Sequence, residues 1–194
     1  MANPISTNNE VSITITSSYY ENQINKIISK APIEAGVEIL VYMLLDGIVS
    51  SKGLSLVDVS SMSKDRAKPF GVEDAVPDMA VVSPDFDYVV SRSEKNQCYK
   101  SKVYGYVEVK GVHRKADSCP SERKAHIKAI EHVLCTNGLV WMYFDRNEEA
   151  CWSVNLDKQG RNTLRKSIFS IDEEKFKELL EKFHGIDWES GSDE

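Results

Sequence analysis

In the stretch YVEVKGV, residues 106 to 112, Glu108 and Lys110 stand two positions apart. The run is otherwise apolar and reads as a strand. Strand side chains alternate faces, so the carboxylate and the ammonium point the same way. Upstream, Pro77-Asp78 opens another apolar run, PDMAVVS. Taken singly, E-x-K is a surface ion pair worth little, and Pro-Asp is a turn signal. On two consecutive apolar strands, in this order, they supply two hard carboxylates and an amine. Such oxygen ligands suit Mg²⁺ or Mn²⁺, which keep several waters and bridge to phosphate oxygens. A cation of this kind lowers the pKa of a bound water, and a neighbouring lysine can position that water or offset the charge that builds up. Hydrolysis of a phosphodiester needs this combination.

The surrounding elements must bring these groups together. IEAGVEILVYMLLDG is the strongest early helix, with Ile33, Val37, Leu40 and Leu44 on one stripe and Gly47 as its expected stop. It is apolar over much of its circumference and should be largely buried. Glu34 and Glu38 lie four apart on one face of it, and carboxylates at the margin of a buried helix need a partner. LSLVDVSSM, PDMAVVS and VYGYVEVKGV read as strands, and RSEKNQCYKSK as a hairpin loop or insertion. SERKAHIKAIEHVL reads as a helix with Ser121 as N-cap; the alternative makes HVLCT a strand and Asn137-Gly138 a tight turn. LVWMYFD and CWSVNLD are further strands, and SIDEEKFKELLEKFHG is a helix with a Ser170–Glu173 capping box. Consecutive strands followed by a crossover helix predict an α/β fold, with a mixed central sheet flanked by α-helices.

With 194 residues and 41% hydrophobic content the chain suits one domain. Residues 1–18 are expected to be a polar tail or edge strand, built on VSITIT; 19–186 the domain; and 187–194 an acidic tail. No apolar run is long enough to span a membrane, and MANPISTNNE lacks the pattern of a secretory signal. Cys98, Cys119, Cys135 and Cys151 form no C-x-x-C pair. They read as free thiols of a cytoplasmic protein rather than as a zinc site or a disulfide framework. The net charge of −6 speaks against wholesale nucleic-acid binding. Between Lys110 and Lys128, however, six cations face two anions, a local charge of +4, which phosphate contact would need. His113 and His126 read as surface groups, Asp85 and Asp87 as turn residues, and Trp141 and Trp152 as core.

PDMAVV followed by YVEVKGV, with an acidic helix before and a basic helix after, resembles the PD-(D/E)xK nuclease superfamily, the restriction-endonuclease-like domains. The segment LCTNGLVWMYFD further resembles the nuclease domain of type I restriction subunits. The likeness covers roughly residues 33 to 156. It implies a Mg²⁺- or Mn²⁺-dependent endonuclease acting on DNA, in restriction, phage defence or repair, with RNA as the other substrate and a homodimer compatible with two cuts of a duplex. It also implies Asp78 and Glu108 as metal ligands and Lys110 as the residue serving the attacking water. A further Glu comes from the upstream helix, for which Glu34 is preferred to Glu38 by its spacing to Leu44-Leu45. The downstream helix carries a polar residue in that family, often Gln, matched here at best by Lys124 or Lys128. Lys115, Arg123, Lys124 and Lys128 are the expected backbone contacts. The 30 positions between Asp78 and Glu108 imply an insertion. The rival reading is a module that keeps the fold without catalysis and binds nucleic acid or protein.

Overall fold

A computed structural model describes residues 15–71, 75–93, 103–146 and 149–190. Strands β1 (Ser55–Asp58), β2 (Met79–Val82), β3 (Val103–Val109), β4 (His132–Thr136), β5 (Val140–Asp145) and β6 (Trp152–Asn155) form one sheet in sequential order. β3 and β4 pair in parallel and every other neighbouring pair is antiparallel. A parallel pair needs a crossover, and α5 (Pro120–Ala129) supplies it. The sheet is therefore mixed and flanked by helices, as expected. Residues 11–14 of the expected edge strand and residues 94–102 of the expected hairpin or insertion lie outside the described residues.

The two-residue period sorts the side chains. Met79, Val81, Val107, Val109 and Leu134 join the main core, into which α1 (Ser17–Lys30), α2 (Glu34–Ser51) and α6 (Glu173–Gly185) send their apolar faces. Ala80, Val82 and Tyr106 face the other way onto Phe70, and Val133 and Cys135 onto Ile127 of α5 and Phe144. A short helix, α3 (Lys64–Ala67), leads into a 3-10 turn, and α4 (Tyr88–Ser93) follows β2. Among the described residues no helix is long and apolar enough to cross a membrane.

Four expectations about element ends are corrected. Gly47 does not stop α2, because Ile48 and Val49 extend the buried face to Ser51 and the chain reverses at Gly53, where φ is +76°. A single mid-helix glycine costs only about 1 kcal/mol. The helix expected to run through Leu134 ends at Ala129, since His132–Thr136 gains a complete ladder with β3 and β5. Its N-cap position is Cys119, one residue ahead of Pro120, not Ser121. Asp172 rather than Ser170 caps α6, accepting from the amides of Glu174 and Lys175. The alternative turn at Asn137-Gly138 is present: Asn137 Oδ1 accepts from Leu139 and Val140 N–H, and Gly138 has φ +81°. Trp188, counted with the acidic tail, is buried, and a Cβ on Gly105 would lie 2.5 Å from its ring.

Candidate active site

The register of β2 against β3 pairs Met79 with Val107 and Ala80 with Tyr106, so one step further sets Asp78 opposite Glu108. Directly opposed residues share a face. Asp78 N–H donates to Val107 O at 3.1 Å. Its Oδ2 accepts from the Val109 amide at 2.6 Å, which fixes the carboxylate at the end of β3. Lys110 follows on the Glu108 side, held by its amide on Thr136 O at 2.7 Å, a continuation of the β3–β4 ladder. Backbone pairing thus brings Asp78 to one corner with Glu108 and Lys110, which lie 30 and 32 positions further along the chain.

Glu108 and Lys110 are each 6% exposed. Glu108 Oε1 accepts from Lys110 Nζ, and its Oε2 lies 3.1 Å from His126 Nε2. Glu122, one turn before His126 on α5, brings Oε2 to 3.6 Å from Lys110 Nζ. Burial pushes the Glu108 carboxyl up, but the hydrogen bonds from His126 and Lys110 outweigh it and hold the group below the usual range. Glu108 is therefore a carboxylate, and His126 donates to it. Burial alone would lower the Lys110 ammonium, yet its bond to Glu108 and the charges of Asp78 and Glu34 raise it above its ordinary value.

Asp78 behaves oppositely. Burial first, then the charge of Glu108, lift its carboxyl to about 8 against the pull of the Val109 amide and Lys110. The N-terminus of α2 closes the rim. Glu34 Oε2 accepts from Gly111 N–H at 3.0 Å. Glu38 is raised by burial and by the charges of Glu34 and Asp58, with Lys110 and Glu108 also within its field.

Among the described residues no three His, Cys, Asp or Glu side chains lie close enough together to hold a metal by themselves. The donor set still suits a hard cation that keeps most of its waters and takes one or two carboxylates. Asp78 and Glu108 are adjacent and desolvated, and their mutual repulsion keeps Asp78 from ionising at its ordinary pKa.

The helix after β3 divides the remaining expected residues. Arg123, His126, Ile127 and Ile130 follow the i, i+3, i+4, i+7 stripe, the inner face of an amphipathic helix. His126 is accordingly 1% exposed, with its ring against Tyr106. It, rather than Lys124 or Lys128, is the polar residue of α5 that reaches Glu108. The stripe was readable from Ile127 and Ile130, whereas reading His126 as a surface group overlooked it. Arg123 lies over the Phe144 ring at 4.9 Å and pairs with Asp117 at 3.7 Å. Lys115, Lys124 and Lys128 are exposed. Asp85 and Asp87 do form turns: Asp85 accepts from the Ser83 hydroxyl and Asp87 from the amides of Val89 and Val90. Trp141 is core.

Comparison with protein-family models finds none that matches, and comparison with curated proteins finds no relative. Among solved structures, the chain is similar to the cryo-EM structure of a DrdV–DNA complex, with TM-score 0.52 and 16% identity over 85% of this chain. The chain spans 13% of the length of that one. At that identity the likeness concerns the fold.

Proposed function

We propose that the chain is a Mg²⁺- or Mn²⁺-dependent endonuclease that hydrolyses phosphodiester bonds in DNA. One observation carries this reading: Asp78, Glu108 and Lys110 meet at one sheet corner, with Asp78 lifted to about 8 beside a buried, ionised Glu108. A cation beside the pair would favour the ionised form of Asp78. Asp78 and Glu108 hold it in this reading, with Glu34 or Glu38 on the rim. When bound, the cation supplies a water of lowered pKa and positive charge at the phosphate.

The other roles belong to the chain itself. Lys110, with its ammonium favoured by Glu108, is a poor proton acceptor. It works as a fixed positive charge that orients the attacking water and offsets charge on the phosphate. His126 holds the second oxygen of Glu108 and so sets the direction of the first. The similar solved structure is a complex with DNA, which makes DNA the first substrate to test. Supercoiled plasmid and single-stranded and branched DNA should be cut in the presence of Mg²⁺ or Mn²⁺. Asp78→Ala and Lys110→Ala should each lose that activity. A wild-type protein inert on all three substrates sinks the enzyme reading.

A second reading has its own observation. Both oxygens of Glu108 are engaged, one by Lys110 and one by His126, a closed network that suits a nuclease-fold module without catalysis. DNA binding without cleavage, under either cation, would favour it.

A further inference from the structure

Two loops far apart in sequence are fastened together beside the carboxylates. The first follows β3 and runs through residues 112–118. The second, residues 157–171, links β6 to α6. Leu164 N–H donates to Val112 O at 2.8 Å. Asn137, fully buried, donates from Nδ2 to Arg114 O at 2.6 Å and to Asn162 O at 2.7 Å. Asn137 follows Thr136, whose carbonyl holds the Lys110 amide, so the junction adjoins the site. The second loop is also rigid at its base. Asp157 pairs with Ile171, and Arg161 binds Asp157 through Nε at 2.8 Å and through its terminal nitrogen at 2.7 Å. Asn25 of α1 bonds the Phe169 backbone in both directions.

These joined loops present cations. Arg114, Lys115, Arg165 and Lys166 are all exposed, and none is in an ion pair or hydrogen bond through its side chain among the described residues. Two of the three α5 Lys and Arg side chains differ: Arg123 is committed to Asp117 and Phe144, and Lys124 has an interaction of its own, which leaves Lys128 alone on that helix. In a chain of net charge −6, four cations free of ion pairs on two loops joined by backbone bonds form a local positive field. The bonds at Arg114, Asn162 and Leu164 already hold the two loops together, so binding there loses little backbone entropy.

We propose that Arg114 and Lys115 from one loop and Arg165 and Lys166 from the other form the surface that grips the sugar-phosphate backbone of duplex DNA and presents a phosphodiester to Asp78 and Glu108, with α5 outside that surface. The presentation step rests on the nuclease reading; the grip does not. Neutral glutamines at the four positions remove charge from exposed side chains and leave the clamping backbone bonds intact.

The test uses the full chain, a fluorescein-labelled duplex of about 30 base pairs and EDTA, with anisotropy read at salt from about 50 to 200 mM, the range over which phosphate contacts dominate affinity. Arg114→Gln/Lys115→Gln and Arg165→Gln/Lys166→Gln should each weaken Kd at least tenfold. Each pair should lower the log–log salt slope by roughly 2, at about 0.9 per lost phosphate contact. Lys26→Gln/Lys30→Gln on α1, the same loss of charge elsewhere, should change Kd less than twofold. Loop variants within twofold of wild type, or a loss that appears instead in Lys124→Gln/Lys128→Gln, would overturn the proposal. Plasmid cleavage is read on the same proteins. Cleavage by loop variants at the wild-type rate defeats this surface and leaves the nuclease reading standing. Loop-dependent binding without cleavage defeats the nuclease reading alone. A wild type that neither binds nor cuts defeats both.

Discussion

The Asp78→Asn substitution removes an ionisable carboxyl from the site while keeping its shape, since the amide oxygen can still accept from Val109 N–H. In the metal-free protein the wild-type carboxyl sits at about 8, because burial and then Glu108 oppose its ionisation. Folding therefore favours the protonated form. An acid raised in the folded state costs nothing below its unfolded pKa, and stability falls as pH rises from there to the folded pKa. The window runs from about 4 to about 8. At pH 7 the carboxyl lies roughly three units above the pH at which the unfolded chain would ionise, which at 1.36 kcal/mol per unit sets a ceiling of about 4 kcal/mol. Part of that push comes from Glu108, and the group keeps some contact with water, so a gain of about 1–2 kcal/mol is expected for the variant. Urea denaturation in EDTA at pH 4 and pH 8 reads it. The two proteins should be equally stable at pH 4, and the variant more stable at pH 8. Saturating Mn²⁺ should stabilise only the wild type. A variant that is less stable at pH 8, or a difference that does not change with pH, would refute this account of the corner.

His126→Ala leaves Glu108 Oε2 without its donor and should weaken Mn²⁺ affinity and cleavage at least tenfold, the usual scale for the support of a metal ligand. His126→Gln, which can donate from a similar place, should recover part of both; equal losses in the two variants would mark His126 as packing only. Asn137→Ala deletes four hydrogen bonds from a fully buried side chain, and urea melts should show a loss of roughly 2–4 kcal/mol. Gly105→Ala forces a Cβ against Trp188 and the His132 carbonyl, and the melts should register about 1–3 kcal/mol of overpacking, with Trp188 fluorescence shifted to the red.

Much of the site was legible because its frame is a sheet. Period-two alternation put Glu108 and Lys110 on one face, and apolar runs fixed β2 and β3 as strands, so only their register remained to bring Asp78 opposite Glu108. The mixed sheet followed from strand order in the same way. Helix ends were harder to read. α5 was carried through Leu134 because an apolar run beside a helical pattern satisfies either period, and only pairing with β3 and β5 decides between them. The caps of α5 and α6 were each misplaced by two residues, at α6 because Ser170 and Asp172 compete for the same amides. His126 was missed because its role depends on which α5 face meets the sheet. The second basic loop carries no local pattern at all, and its place beside Arg114 comes from Asn137 and Leu164, which join residues far apart in sequence.

The central claim is that Asp78 and Glu108 together hold one divalent cation. Titration of Mn²⁺ into metal-free protein by calorimetry tests it most directly, with wild type, Asp78→Asn and Glu108→Gln side by side. One Mn²⁺ should bind per wild-type chain, and each substitution should weaken that binding at least tenfold. A wild type that binds no Mn²⁺, or variants that bind it as tightly as wild type, would contradict the claim.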